Sequence, residues 1–128
     1  MIEFHDRAFI EVVHAEQLRL HGGAAGLRDE GMLESALMRA EQKYHYGEND
    51  LFVLAAAHLF GIAKNHPFVD GNKRTAFVAA DLFLYLNGWS IEADQFDIIA
   101  FVLGVAAGEI DEEGTVRFLR DHTEPVAG

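Results

Sequence analysis

Apolar residues recur at helical intervals along most of this 128-residue chain, and the strict alternation of a strand is nearly absent. Leu33, Ala36, Leu37, Ala40 and Tyr44 fall at i, i+3, i+4, i+7 and i+11. That is the stripe of a helix lying on a core, with Asp29 where its N-cap belongs. Upstream, Asp6 to Leu20 carries Phe9, Val12, Val13 and Leu20 at helical spacing, interrupted by Glu16 and Gln17 and closed by Gly22-Gly23. Leu51 to about Asn65, opened by Asn49-Asp50, is apolar nearly all round and must stop at His66, because Pro67 disfavours a helical conformation there. A fourth helix starts near Asn72, runs through AFVAADLFLYL and ends at Asn87-Gly88. Asp94 to Ala107 predicts a fifth, and Asp111 caps a short sixth ending before Pro125.

Helices without a polar face have to be enclosed by amphipathic ones. The expected architecture is therefore all-α: a compact bundle of about six helices around the third-to-fourth hairpin, residues 1–128 forming one domain, with 124–128 as a frayed tail. His58, inside the apolar third helix, is expected to be a satisfied core histidine.

Composition removes several classes of function. Half the residues are hydrophobic and 24% are charged, as in a globular protein. The absence of cysteine excludes disulfide and thiolate chemistry and fits a reducing compartment, so a cytoplasmic location is expected. The first six residues, Met1 to Asp6, have neither the cationic start nor the apolar run of a signal peptide. The most apolar run, Ala76 to Leu86, contains Asp81 and falls short of the roughly 20 residues a bilayer demands. A net charge of −11 repels nucleic acid and anionic lipid, so neither is an expected partner. The seven histidines show no HExxH or paired metal spacing, and His14 and His21 are too far apart on one helix face to share an ion.

Against that acidic background, residues 65–75 read NHPFVDGNKRT. Three of the ten Lys and Arg residues (Lys64, Lys73 and Arg74) lie within or beside this stretch. The first turn of a helix offers unpaired N–H groups and about half a positive charge, a ready anion site, and Gly71 leaves its backbone open to close approach. Cations there cost about 0.3–1 kcal/mol each in helix stability; an anionic ligand reverses that sign. Asp70 is a hard oxygen ligand suited to magnesium, which binds through few carboxylates plus phosphate oxygens. His66 is the one group of the loop with an unperturbed pKa near neutrality, as a general base needs. Each piece also has a plain reading: His66 as a helix end, Asp70-Gly71-Asn72 as a turn and N-cap, Lys73-Arg74 as a solvated pair, Phe68 as a core anchor.

HPFVDGNKRT resembles the signature of the Fic/Doc family, H-P-F-x-[D/E]-G-N followed by a small residue and Arg, at His66, Pro67, Phe68, Asp70, Gly71, Asn72 and Arg74. GLRDEG at Gly26 to Gly31 and FLYLNGW after the motif are similar to the short death-on-curing branch. The resemblance implies the helical Fic fold, ATP and Mg2+, His66 as base, Asp70 on magnesium, and Gly71, Asn72 and Arg74 on nucleotide phosphates. It further implies a toxin of a toxin–antitoxin pair that phosphorylates a threonine of elongation factor Tu and stops translation, opposed by an antitoxin with a C-terminal helix. Lys73 replaces the glycine of most nucleotidyl-transferring members and adds a point charge to the cradle. In the branch with this lysine the γ-phosphate is presented for transfer. Phe77 replaces the second arginine of larger members, and Gly71 is the residue of the nucleotidyl transferases. Three readings follow: γ-phosphate transfer to a Ser or Thr hydroxyl, nucleotidyl transfer, or a catalytically silent helical binding module. The Gly22 to Gly26 loop is a candidate edge for a target segment, and the fifth helix (Ile98, Phe101, Val102, Val105) a candidate groove for a partner helix.

Overall fold

A computed structural model describes residues 2–127. Six helices follow one another: α1 Arg7–His21, α2 Glu30–His45, α3 Leu51–Asn65, α4 Asn72–Leu86, α5 Gln95–Ala106 and α6 Glu112–Asp121. Two short strands, β1 Trp89–Ile91 and β2 Thr123–Pro125, complete the chain. The all-helical bundle expected from the hydrophobic pattern is what forms, and the expected helix boundaries hold within one or two residues.

α3 is the axis of the bundle. Nine of its residues are buried, among them Leu54, Ala55, Ala56, Ala57, Leu59 and Ile62, and α2, α4, α5 and α6 all pack on it. Small residues set how closely they pack. A Cβ on Gly61 would lie 3.1 Å from the Ala36 Cα, so α2 and α3 touch backbone to backbone. Ala76, Ala79 and Ala80 of α4 are fully buried in the same core. With α3 and α4 tightly registered, the loop joining them has little room to vary.

Three expectations are corrected. The first helix does not bury Phe9, Val12 and Leu20, of which Val12 is 66% exposed; it buries Ile10, Val13, His14 and Gln17. That face includes two polar side chains, and the imidazole among them finds a partner (below), so burial there follows hydrogen bonding as well as hydropathy. Second, Glu124 and Pro125 do not fray. Thr123–Pro125 pairs antiparallel with Trp89–Ile91, Ile91 opposite Thr123 and Trp89 opposite Pro125, and the N–H of Val126 donates to Gly88. Gly128, also expected in the tail, lies outside the described residues. Third, His58 is in the core but not satisfied. It is 1% exposed and packs against Phe4 and Phe83, and neither ring nitrogen has a hydrogen-bond partner. Burial pushes its pKa down to about 4, and the neighbouring His5 adds to the shift. No helix among the described residues is long and apolar enough to cross a membrane.

Candidate active site at the start of the fourth helix

Residues 66–71 join the end of α3 to the start of α4. His66 caps α3 in the left-handed region (φ 47°, ψ 57°), the one described residue other than glycine with positive φ. For an L-residue this costs about 1–2 kcal/mol, and the surroundings must hold it. They do so from the segment before α2. The N–H groups of Arg28 and Asp29 both donate to the Pro67 carbonyl (2.7 and 3.0 Å), and that of Val69 donates to Gly26 (3.0 Å). The Arg28 side chain adds Nε to the His66 carbonyl at 2.6 Å and Nη2 to the Asn65 carbonyl at 2.8 Å. Leu27 and Phe68 thereby form an isolated antiparallel bridge.

The centre of the loop is pinned from inside. Asn72, buried, closes a ring on Phe68: its Oδ1 accepts the Phe68 N–H and its Nδ2 donates to the Phe68 carbonyl, both at 2.9 Å. Both ends of this amide are thus engaged by the loop's own backbone. Phe68 is buried, as the anchor reading expected, and stacks on the His14 ring with centroids 3.7 Å apart. His14 Nε2 lies 2.7 Å from the Asp70 carbonyl oxygen, which can only accept, so Nε2 carries the proton. Gly71 follows at φ 77°, and a Cβ there would lie 3.3 Å from Leu18 and 3.6 Å from His14. Backbone conformation alone therefore favours glycine at this position.

Asp70, Lys73 and Arg74 are exposed. The Asp70 carboxylate accepts from the Gly71 N–H at 2.9 Å and, more weakly, from Ala24 at 3.3 Å. These N–H groups, with Arg74 and Lys73 close enough to act through charge, hold its pKa below the usual carboxylate value, so it is ionised at neutral pH. The glycine-rich loop before α2 runs beside it. A Cβ at Gly23 would come within 2.9 Å of Asp70 Oδ2. At α4 no side chain caps the helix and the first turn carries no acid. Among the described residues, Arg7, Arg19, Arg39, Lys43 and Arg120 are paired with carboxylates, but Lys73 and Arg74 are in no ion pair. They open instead onto a groove of about 390 Å³ between α4 and α5, lined also by Gln17, Phe77, Ile99 and Leu103. The expected groove is borne out in part. Ile98 and Val102 line it together with exposed Ile99 and Leu103, whereas Phe101 and Val105 are buried in the core and do not reach it.

A model of the Fic/DOC family matches residues 4–84, more than half of the sequence. The chain belongs to the Fic/DOC family. Two relatives agree. A protein named "Protein kinase doc" from Escherichia phage P1 is 35% identical over 109 residues, covering 84% of this chain and 86% of the relative. "Toxin Doc" from Mycolicibacterium smegmatis is 42% identical over 101 residues, covering 77% and 74%. The family assignment drawn from the motif is thus borne out. Sequence reading missed the residues of this Fic/DOC site that lie outside the motif. His14 and Arg28 sit 56 and 38 positions from the groups they hold; no local pattern marks His14, and Arg28 lies in the family-like GLRDEG stretch, which gives it no role.

Proposed function

We propose that this chain is a toxin of a toxin–antitoxin pair that transfers the γ-phosphate of ATP to a Ser or Thr hydroxyl of a protein, with elongation factor Tu as the expected target. The observation that carries the proposal is the start of α4. Among the described residues it is the one helix start with no side-chain cap, it has two exposed cations in no ion pair in its first turn, and an ionised carboxylate adjoins it. Toxin and kinase also stand in the names of the two relatives.

In this reading the backbone N–H groups of Asn72, Lys73 and Arg74 and the side chains of Lys73 and Arg74 bind the phosphates, and Gly71, whose own N–H is taken by Asp70, leaves that backbone open to close approach. Asn72 contributes by shaping the cradle, since its amide is engaged by Phe68. His66 takes the proton of the incoming hydroxyl as its oxygen bonds to the γ-phosphorus. The bond from that phosphorus to the β,γ-bridging oxygen breaks, and ADP leaves. Lys73 and Arg74 neutralise the charge that develops on the transferred group and on the leaving diphosphate. Asp70 suits magnesium: it is ionised and exposed, and it stands alone, since no group of three or more candidate ligands occurs among the described residues. An ion held there would need phosphate and water oxygens to complete its shell, which is the usual manner of magnesium, and it would screen charge on the phosphates.

Nucleotidyl transfer is the second reading, and Gly71 favoured it. The φ of 77° and the contact with Leu18 account for that glycine without reference to nucleotide chemistry, so the weight passes to Lys73. Incubation with the target and ATP labelled at either the γ or the α position decides between them: γ label should appear on the protein, and α label would establish nucleotidylation instead. Lys73→Gly should weaken phosphorylation. For the antitoxin, the groove between α4 and α5 offers exposed Ile99 and Leu103 beside two cations, which suits an amphipathic C-terminal helix carrying acids.

A further inference from the structure

We infer that Arg28 is a positioning residue for His66: its guanidinium fork fixes the backbone from which the general base projects. This inference rests on the role proposed for His66. Arg28 lies in the connection between α1 and α2, outside the motif, and its fork spans the last two carbonyls of the α3 end. Carbonyls at a helix C-terminus have no intrahelical partner and carry partial negative charge, so a planar cation with two parallel donors fits them. One of the two carbonyls belongs to His66 itself.

The need for such a clamp is visible in the backbone. His66 is held in a conformation that L-residues avoid, and its N–H bond back to Ile62 is long at 3.2 Å. On its far side Pro67 donates no N–H, so the loop cannot restrain His66 from within. The restraint comes from residues 26–29, which bond to the carbonyls of Asn65, His66 and Pro67 and to the N–H of Val69. Arg28 supplies three of these bonds, two through its side chain and one through its N–H. Because the side chain is exposed, packing does not account for it. Its hydrogen-bonding atoms reach no carboxylate among the described residues, only these carbonyls.

Loss of the fork should therefore let the His66 backbone drift while the core and the phosphate cradle stay intact. Arg28→Ala in the full chain should lower kcat by roughly 10–100-fold, the size expected when a catalytic group is misplaced by about an ångström. KM for ATP should stay within about threefold, since the cradle at α4 is untouched. Arg28→Lys, which keeps the charge but presents a single ammonium in place of a fork, should fall between wild type and alanine. Imidazole resonances recorded by NMR give a readout independent of turnover. Those of His66 should shift or broaden in Arg28→Ala, and those of His58 should not. Wild-type kcat in Arg28→Ala overturns the inference, and so does a loss carried wholly by KM. Unchanged His66 resonances overturn it too. If the wild-type protein transfers no phosphate, the fault lies with the proposed function, and the His66 spectrum alone decides the role of Arg28.

Discussion

Five helices of the described chain begin alike. Asp6, Asp29, Asp50, Asp94 and Asp111 each turn a carboxylate onto an N–H of the first turn, at 2.7–3.1 Å. The start of α4 is built the other way: Gly71 in the left-handed region, no side-chain cap, and Lys73 and Arg74 where acids would be stabilising. The aspartate starts satisfy orphan donors and the helix dipole at once. The α4 start leaves both unsatisfied and adds like charge, so it lowers the stability of the free protein and raises its affinity for an anion. A chain with this many acids that uses five as caps has put none at the sixth position. Under the proposed function, the difference separates helix ends that serve folding from one that serves a ligand.

The strongest test removes the proposed base. His66→Ala should reduce phosphate transfer by about 10²–10⁴-fold while the thermal midpoint stays near that of wild type. A variant that keeps its rate would leave the α4 start as an anion site without chemistry. Next in size is a stability effect that belongs to neither kind of helix start. His58 has its pKa lowered to about 4 in the fold against 6.5 unfolded. The neutral ring is the folded form, so its contribution is complete above pH 6.5 and is lost as pH falls from 6.5 toward 4. The loss amounts to about 3 kcal/mol. His58→Leu should flatten urea-denaturation stability across that window, and a profile as steep as wild type would place the acid sensitivity elsewhere.

Smaller effects sharpen the contrast directly. Asp94→Ala and Asp111→Ala should each cost about 1 kcal/mol in urea unfolding with transfer unchanged; loss of transfer without loss of stability would blur the distinction. Lys73→Glu should do the opposite, raising stability by about 0.3–1 kcal/mol while lowering transfer at least about tenfold. If it destabilised the protein, the strain assigned to the α4 start would be wrong.

Much of the fold was legible because helix ends are local. An aspartate followed by an apolar run, Pro67 after an apolar helix, and glycines after the last apolar residue act over three or four positions, and the helices begin and end where these signals stand. The motif was legible for the same reason, its residues lying within one short loop. Hydropathy misjudged the buried face of α1, since His14 is buried by a hydrogen bond to a carbonyl 56 residues away rather than by its own polarity. The tail was misjudged because a strand of three residues exists only through its partner, β1.

The sequence by itself determined where the helices start and stop, which helix hairpin must be central, and which loop carries the family motif, since all three depend on neighbours along the chain. Only the tertiary structure decided which face of α1 is buried, that β2 pairs, that His58 is left without a partner, and that Arg28 reaches His66. Those outcomes depend on which distant groups packing brings within hydrogen-bond range, and directional contacts of that kind leave no periodic trace in the chain.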